Sequence, residues 1–280
     1  MATALNLDVA TVLDFGEEWS AFDQSDLPEA ERRRRFDEYF SIFPLSDLKK
    51  AEGFDLGCGS GRWAAMLAPL VRRLHCIDPA EAALDVARRN LADQANVNFH
   101  LADASTIPLS DRSQDFGVCL GVIHHVPDPQ AALTAAVAKL RPGAPFLLYL
   151  YYDFENRPLW FRLTWRASDF ARRLVCGLPV GLKRPLCVMI ATAVYWPLAR
   201  ASYALERAGR DVSLIPLSHY RNWSFYSMRT DALDRFGTRI ERRFSRGDIE
   251  AMMIEAGLDN VRLSDGPPYW VAVGTRRQSR

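Results

Sequence analysis

The chain has 280 residues, of which 49% are hydrophobic and 25% charged, and its formal net charge is +1. This length and composition are ordinary for a folded protein with one large domain, or with one domain and an insert. The near-zero charge balance argues against a general nucleic-acid binder, since such proteins carry a large excess of lysine and arginine.

The N-terminal segment contains a predicted helix over residues 28–43. Phe36, Phe40 and Phe43 fall on one stripe of this helix, which is typical of a buried helix face. Trp19 lies before it, in a stretch that could either close over a binding site or anchor the core. The first residues show neither a basic region nor a long apolar run, so we expect no secretion signal. The five cysteines show no paired spacing, which favours free thiols in a reducing cytosol.

A glycine-rich turn follows the first predicted strand. The strand ends at Asp55, and Gly57, Gly59 and Gly61 come next, before a predicted helix. Glycine lets the backbone turn sharply and lets a ligand approach it closely, while the free N–H groups of a helix start favour polar or anionic groups. The pattern therefore predicts a nucleotide cradle. It differs from the dinucleotide fingerprint, because Arg62 stands where a small residue is needed, and the Gly-Lys-Ser/Thr of a P-loop is absent.

The next two predicted strands lead to acidic residues. The strand over 74–77 ends at Asp78, which lies 21 residues after Gly57. An acidic side chain at this distance is expected to accept hydrogen bonds from ribose hydroxyls. Capping of the following helix is the alternative, and the two roles are compatible. The strand over 97–101 leads to Asp103, for which a role in a turn is the alternative.

A fourth strand, over 117–120, precedes the run His-His-Val-Pro-Asp-Pro at 124–129. A helix over 130–140 then ends at an Arg-Pro-Gly stop signal. The fifth strand, over 145–152, is a continuous apolar run, as expected for a strand that is buried on both faces.

Together these motifs resemble those of the class I S-adenosylmethionine (SAM) dependent methyltransferases. Asp55 and the three glycines match the first motif of that family, and the runs 107–116 and 124–129 are similar to a small-molecule branch that includes the ubiquinone and menaquinone pathway enzymes. The resemblance covers about residues 52–153 and a C-terminal piece. It implies an α/β, Rossmann-like, doubly wound sheet of seven strands whose last strand is antiparallel. It also implies SAM as the cofactor and S-adenosyl-L-homocysteine (SAH) as the product.

The resemblance further implies which residues contact the cofactor, with Asp78 on the ribose and Asp103 on the adenine amino group. The predicted cofactor-binding residues are Asp55, Gly57, Cys58, Gly59, Gly61, Asp78, Pro79, Asp103, Ala104, Leu120 and Trp19.

Methyl transfer needs an aligned acceptor and often a base. His125 is the first candidate base, because the matching histidine of similar quinone-pathway O-methyltransferases lies at the boundary of cofactor and substrate, and because imidazole titrates in the useful range. Packing on the cofactor, or capping of the next helix, is the alternative for His125. His219 is the second candidate base. We predict no metal, since Asp153 and Asn156 alone are weak ligands.

Residues 153–227 form a long insertion after the fifth strand. Insertions at the carboxyl ends of strands lie above the ligand crevice, so we predict a helical lid that shapes the substrate pocket. Its first part, 157–210, is rich in aromatic and aliphatic residues and holds ten basic residues. A buried lid and a peripheral membrane contact both stay open, whereas the longest uncharged stretch is too short to span a bilayer. The predicted substrate-binding residues are His124, Tyr152, Tyr220, Arg221, Trp223 and Tyr226.

The sequence thus predicts four segments: an N-terminal helical cap (1–45), a SAM-binding core (46–152), the lid (153–227), and a helix with two closing strands of the core (228–280). The leading hypothesis is a cytoplasmic methyltransferase that acts on a small molecule, with oxygen favoured as the acceptor atom. A sugar or glycolipid precursor, a quinone or phenol, and a secondary metabolite are the acceptors considered. The alternatives are a catalytically silent SAM-binding scaffold or regulator, and a nicotinamide-dependent reductase, which Arg62 disfavours.

Overall fold

The computed structural model describes residues 6–278, except for the side chain of Val180. Residues 1–5, on which the expectation about a secretion signal partly rests, lie outside the described residues. The described chain divides into two compact units. One of them contains residues 154–227 of the predicted lid and extends beyond the predicted end of the lid to residue 239. We call them the sheet unit, formed by residues 6–24, 34–153 and 240–278, and the helical unit, formed by residues 25–33 and 154–239.

The sheet unit contains one sheet of seven strands: β1 (Glu52–Leu56), β2 (Arg73–Asp78), β3 (Val97–Leu101), β4 (Phe116–Leu120), β5 (Pro145–Tyr149), β6 (Leu258–Leu263) and β7 (Val271–Arg276). Their order is β3-β2-β1-β4-β5-β7-β6. Strands β1 to β5 pair in parallel, while β7 is antiparallel to both β5 and β6. The predicted seven-stranded, Rossmann-like sheet with an antiparallel last strand is confirmed.

Residues 6–278 contain ten α-helices: α1 (Val9–Ala21), α2 (Glu29–Tyr39), α3 (Ala64–Leu67), α4 (Glu81–Asn90), α5 (Pro129–Ala138), α6 (Leu159–Val175), α7 (Val180–Ile190), α8 (Trp196–Arg207), α9 (Phe225–Gly237) and α10 (Arg246–Glu255). Local signals explain several of their starts. The Asp128 side chain accepts a hydrogen bond from the backbone at the start of α5, with Pro129 as its first residue. Ser245 and Asp248 form a reciprocal capping box at the start of α10.

Two buried clusters cover the two faces of the sheet. Phe54 of β1 and Phe146 of β5 belong to one cluster, whereas Phe116 of β4 and Leu147 of β5 belong to the other. Neighbouring residues of a strand point to opposite faces, and this is why Phe146 and Leu147 enter different clusters. The central strands are therefore buried on both sides, as a parallel sheet requires.

The topology brings the predicted site residues to one edge. β1 lies between β2 and β4, so the chain leaves the carboxyl end of β1 in one direction of the sheet and that of β4 in the other. In doubly wound sheets this is the point at which ligands bind. The turns that follow β1, β2, β3 and β4 all meet at this edge.

The helical unit has its own packing. Lys183 of α7 donates a hydrogen bond to the Gly237 carbonyl at the end of α9, and Arg172 of α6 donates one to the next carbonyl, that of Thr238. A π-helical turn, Ala191–Tyr195, joins α7 to α8. No helix within residues 6–278 is both long and apolar enough to cross a membrane.

Candidate functional site

The turn after β1 needs glycine at more than one position. Gly57, Gly59 and Gly61 have φ values of 74°, 53° and 77°, which place them in the left-handed region that other residues rarely adopt. A Cβ at Gly57 would lie 2.3 Å from the Val122 side chain, and a Cβ at Gly59 would lie 2.9 Å from the Trp19 ring. The backbone of this turn is therefore closely approached by side chains of two other segments.

Asp78, at the end of β2, holds the glycine turn in place. Its Oδ2 accepts a hydrogen bond of 2.9 Å from the Gly59 amide, and its Oδ1 accepts one of 2.9 Å from the Ala80 amide, where α4 begins. Burial raises the pKa of Asp78 to about 6, although the two amide donors oppose the shift. Each oxygen keeps a second lone pair, so this arrangement is compatible with the predicted contact to a ribose.

Asp55, on β1, is a buried carboxyl whose Oδ2 has no hydrogen-bond partner within residues 6–278. Burial raises its pKa to about 7, the nearby Asp78 carboxyl adds to the shift, and the Arg62 guanidinium opposes it. A buried polar atom without a partner is costly. Asp55 is therefore suited to receive a donor or a cation from a ligand.

Asp103, in the turn after β3, uses its two oxygens differently. Its Oδ1 accepts hydrogen bonds from the Ser105 amide at 2.5 Å, the Ser105 hydroxyl at 2.6 Å and the Thr106 amide at 3.0 Å. Its Oδ2 is buried and has no hydrogen-bond partner in the described part of the chain. The role of a turn residue is therefore visible, and an acceptor atom is still left for a ligand amine.

Helix α1 adds aromatic side chains to this edge. Trp19 lies against the glycine turn, and the Arg62 guanidinium carbon lies 5.4 Å from the centre of its ring and 4.7 Å from that of Trp63. Phe15, one turn earlier, meets the His125 ring edge-on at 4.9 Å between centroids. Trp19 is half-buried, and its contact with a cofactor stays a prediction.

The other predicted cofactor residues lie along the same edge. Cys58 is buried next to the Cys76 thiol, and this contact, together with burial, raises its pKa well above the usual range. It is therefore a neutral, packed thiol. Pro79 follows Asp78, and Ala104 and Leu120 are buried.

The two histidines after β4 differ in their surroundings. His124 is fully buried, and neither of its ring nitrogens has a hydrogen-bond partner among the residues that the structure describes. Burial lowers its pKa well below the usual value, with smaller effects from His125 and Arg243, so the ring is neutral at pH 7. The Nδ1 atom of His125 lies 2.5 Å from the Ile240 carbonyl oxygen. Since a carbonyl can only accept, Nδ1 carries a hydrogen, and in the neutral form of the ring Nε2 therefore carries the lone pair.

Tyr151 and Tyr152 continue this cluster beyond β5. The rings of His124 and Tyr151 lie 4.0 Å apart, as do those of His124 and His125. Tyr152 pairs through its backbone with Phe244, and its ring lies 5.3 Å from that of Tyr269. His124, His125 and Tyr151 therefore form one group at the carboxyl ends of β4 and β5.

Sequence reasoning missed the segment that closes this group, residues 240–244. The Arg242 amide donates to the His124 carbonyl at 3.2 Å, and the Arg242 guanidinium donates to two further carbonyls after β4. The Phe244 amide donates to the Tyr151 carbonyl at 2.8 Å. The only local signal is a Glu-Arg-Arg run just before the capping box of α10, and that run does not reveal which carbonyls it meets.

Within this segment, Glu241 and Arg243 form a buried ion pair with a distance of 2.7 Å, their side chains being 2% and 11% exposed. Arg243 also donates to the Tyr152 carbonyl, and its guanidinium lies 5.2 Å from the centre of the Tyr151 ring. The Oε2 atom of Glu241 is buried, and no described residue forms a hydrogen bond with it. The histidine group thus has a charged, hydrogen-bonding neighbour that the sequence did not indicate.

The remaining predicted residues belong to the helical unit. Tyr220 donates a hydrogen bond to Asp231, and the His219 ring lies 3.8 Å from the Tyr220 ring. Arg221 pairs with Glu206 at 2.7 Å. Trp223 meets the His219 ring edge-on, and Tyr226 is buried at the start of α9. These contacts explain how the residues pack, and their roles towards a substrate stay predictions.

The expectation of no metal also stays a prediction. In the part of the chain that the structure describes, no group of three or more His, Cys, Asp or Glu side chains is placed to hold a metal ion.

Comparisons with known proteins point to one family. Residues 54–148 match a family model described as a methyltransferase domain. A ubiquinone biosynthesis O-methyltransferase of Coxiella burnetii is 30% identical over 111 residues, which cover 39% of this chain and 46% of that protein. The chain thus spans less than half the length of this relative. One of Xanthomonas oryzae pv. oryzae is 29% identical over 188 residues, which cover 66% of this chain and 74% of that protein.

Among solved structures, a SAM-dependent methyltransferase of Thermotoga maritima aligns with a TM-score of 0.51 over 96% of this chain and 98% of that chain. The two sequences are 15% identical, so this likeness concerns the fold alone.

Proposed function

The chain belongs to the class I SAM-dependent methyltransferases, and on that premise we propose that it transfers a methyl group from SAM to an oxygen atom of a small-molecule acceptor. The ubiquinone biosynthesis O-methyltransferases among its relatives favour oxygen over nitrogen and carbon. A quinone or phenol is the acceptor class that they favour most. We also propose a cytoplasmic protein with a peripheral membrane contact through residues 157–210.

One observation supports the proposal: two buried carboxyl oxygens at the cofactor edge, Oδ2 of Asp55 and Oδ2 of Asp103, have no hydrogen-bond partner among the described residues. SAM offers an ammonium group and an adenine amine, which are donors of the kind that these two oxygens need. Asp78 is proposed for the ribose hydroxyls. When bound, SAM supplies a methyl group that its sulfonium has already activated.

The acceptor end is proposed to be the group formed by His124, His125 and Tyr151, with Glu241 and Arg243 beside it. The Ile240 carbonyl orients His125 so that its Nε2 has the lone pair, as a base that takes the proton of a hydroxyl requires. His124 stays neutral because it is buried, and it can accept a hydrogen bond from a second polar group of the acceptor. The buried Glu241 oxygen would suit another hydroxyl.

Calorimetry with SAM and SAH tests the cofactor half. We expect both to bind, and we expect Asp103→Asn to weaken binding about tenfold or more, since the amide oxygen is a weaker acceptor than the carboxylate and its NH₂ would oppose an amine. Asp85→Asn is the matched control, because Asp85 is exposed on α4 and forms an ion pair with Arg88 of the same helix. An unchanged affinity in Asp103→Asn, or no binding of either compound, would refute the proposed site.

Mass spectrometry tests the transfer half. Cells with the gene are expected to contain a metabolite that is about 14 Da heavier than its counterpart in cells without the gene, and His125→Gln should abolish the difference while leaving SAH binding intact. If the purified protein binds SAH but no cell extract supports turnover, the catalytically silent scaffold becomes the better account.

A further inference from the structure

Large apolar side chains are exposed in one part of the molecule far more than elsewhere. Within the described residues, eleven of the eighteen exposed large hydrophobic side chains lie between residues 159 and 205. This stretch is only a sixth of the chain, so the concentration is not the ordinary scatter of apolar residues over a surface. We call these eleven the outer helical face: Leu159, Trp160, Leu163, Phe170, Leu174, Leu182, Val188, Met189, Val194, Trp196 and Leu205.

In α6 the exposed residues follow the helical repeat. Leu159, Leu163, Phe170 and Leu174 recur at spacings of four, seven and four, and they form one stripe along the helix. Three of them are 69%, 67% and 63% exposed, namely Leu159, Phe170 and Leu174. The opposite side of α6 is the one that packs, since Arg172 is buried and donates to the end of α9.

Helix α7 repeats the arrangement. Lys183 and Cys187 lie on its buried side, where Lys183 reaches the Gly237 carbonyl of α9. Leu182 and Met189 lie on its exposed side. Both helices thus use one side to pack against α9 and leave an apolar side open to the surroundings.

The same stretch carries most of the positive charge. Residues 159–207 contain eight Arg and Lys residues and two acidic residues, a balance of +6, whereas the whole chain has +1 and the remainder therefore −5. Among the described residues, no carboxylate pairs with Arg162, Arg166 or Arg184. An exposed apolar stripe flanked by unpaired arginines and by tryptophans is typical of a helix that lies in a membrane interface.

We propose that the outer helical face binds the surface of a membrane that contains anionic lipids. The charge selects this occupant: a second copy would bring +6 against +6, while an anionic surface attracts the arginines. No described helix is suited to cross the bilayer, so α6 and α7 would lie in the interface. This proposal narrows the membrane contact named under the proposed function, and it does not depend on methyl transfer.

Vesicle sedimentation with the full-length protein tests it. The protein should bind vesicles of phosphatidylcholine mixed with phosphatidylglycerol, bind phosphatidylcholine alone weakly, and be released by high salt. The double variant Phe170→Asp, Leu174→Asp should lose about tenfold or more of its partitioning. Arg166→Glu and Arg184→Glu should each lose about fivefold on the anionic vesicles alone.

Ile254→Asp is the control, because Ile254 is an exposed apolar residue on α10 of the sheet unit, although its 46% exposure is lower than that of Phe170 and Leu174. Circular dichroism and SAH binding would show that each variant is folded. The proposal is refuted if the wild-type protein stays in the supernatant with anionic vesicles, or if Ile254→Asp lowers binding as much as the double variant. It is refuted as well if light scattering shows a dimer that Phe170→Asp dissociates while vesicles bind nothing.

Because vesicle binding needs no turnover, a protein that binds vesicles but fails to methylate would contradict the proposed function alone. Conversely, an active enzyme that ignores vesicles would contradict the membrane proposal alone.

Discussion

The three acidic residues at the carboxyl edge of the sheet are satisfied to different extents. Both oxygens of Asp78 accept hydrogen bonds from backbone amides, while Asp55 and Asp103 each have one buried oxygen that lacks a hydrogen-bond partner within the described chain. A buried polar atom in this state costs about 1–3 kcal/mol. Part of the free energy that a bound cofactor would release therefore comes from satisfying Asp55 and Asp103, whereas Asp78 shapes the turn before any ligand arrives.

The raised pKa of Asp55, about 7, predicts that cofactor affinity depends on pH. Below pH 7 the carboxyl holds a proton that it must lose to pair with an ammonium group, so affinity should fall as pH decreases from 8 to 6. The stability of the free protein should depend on pH in the opposite direction, and it should fall as pH rises. The folded carboxyl keeps its proton up to about pH 7 and the unfolded one loses it near 3.8, so the Asp55 contribution to stability is lost as pH rises between these values.

Titration calorimetry with SAH between pH 8 and pH 6 measures the affinity of Asp55→Asn and of the wild type. Scanning calorimetry at pH 8 and pH 5 measures their melting temperatures. The variant should bind SAH about tenfold more weakly at pH 8 and with a flatter pH profile, and it should raise the melting temperature of the free protein more at pH 8 than at pH 5. Asp85→Asn should keep the wild-type profile. Equal pH profiles in Asp55→Asn and the wild type would contradict the assignment.

Alanine substitutions at two glycines distinguish the cost of a strained backbone from the cost of a steric clash. Gly57 and Gly121 have nearly the same φ, 74° and 79°. A Cβ at Gly57 would lie 2.3 Å from the Val122 side chain, whereas a Cβ at Gly121 would have no atom of the described residues within 4 Å. Each change to alanine should cost about 1 kcal/mol from the left-handed backbone. Gly57→Ala should cost at least about 1–3 kcal/mol more and weaken SAH binding.

Urea denaturation of both variants gives the difference in the free energy of unfolding. A similar loss in the two would show that Val122 moves aside easily, which would contradict the close approach described for the turn.

At the scale of elements, α9 is held at its C-terminus by two other helices. Its last carbonyls accept hydrogen bonds from Lys183 of α7, at 3.2 Å, and from Arg172 of α6, at 2.9 Å. Buried cations at a helix C-terminus satisfy carbonyls that have no partner within the helix, and they interact favourably with its dipole. These two residues are therefore structural, although they contribute to the positive balance of the stretch.

We predict that Lys183→Met destabilises the protein by about 1–3 kcal/mol, because the Gly237 carbonyl loses a charged donor in a buried place. Arg184→Met, at the next position but exposed, should change the free energy of unfolding by less than about 0.5 kcal/mol. Urea denaturation followed by circular dichroism compares them. Similar effects of the two substitutions would mean that the α9 contact adds little.

Local patterns in the sequence are sufficient to predict much of the sheet and its edge. The spacing of the glycines and the acidic residue after each apolar run placed Asp55, Asp78 and Asp103 at strand ends, and the topology brings those ends together. The turn formed by Asp103, with Ser105 and Thr106 two and three residues later, is also a local pattern.

Contacts between distant segments were not predictable in this way. His125 meets Ile240 across 115 residues, and Arg243 meets the Tyr152 carbonyl across 91. A carbonyl looks the same at every position of a sequence, so nothing local marks which one an arginine will reach. The fifth strand was predicted over 145–152, but β5 ends at Tyr149. Beyond that point Tyr152 pairs with the distant Phe244.

Over the whole molecule, charge and apolar exposure are segregated along the chain. The proposed cofactor residues and the group formed by His124, His125 and Tyr151 lie in the sheet unit, while the outer helical face lies in the helical unit. The balance of +6 in residues 159–207 against −5 in the remainder is hidden by a total of +1. The net charge of the whole chain therefore argues against a protein that binds polyanions over most of its surface, but it is compatible with a local surface that binds anions.

Hydrogen exchange should distinguish the proposed cofactor edge of the sheet from the outer helical face. Adding SAH should slow the exchange of amides in 54–61 and 101–104 and in α1, because ordering the glycine turn suppresses its local opening. Adding anionic vesicles should slow exchange in α6 and α7, while neutral vesicles should change little. Protection by SAH in α6 and α7, with none at the glycine turn, would contradict the assignment of the cofactor edge. Protection by anionic vesicles in α10 but not in α6 would contradict the proposal that the outer helical face binds the membrane.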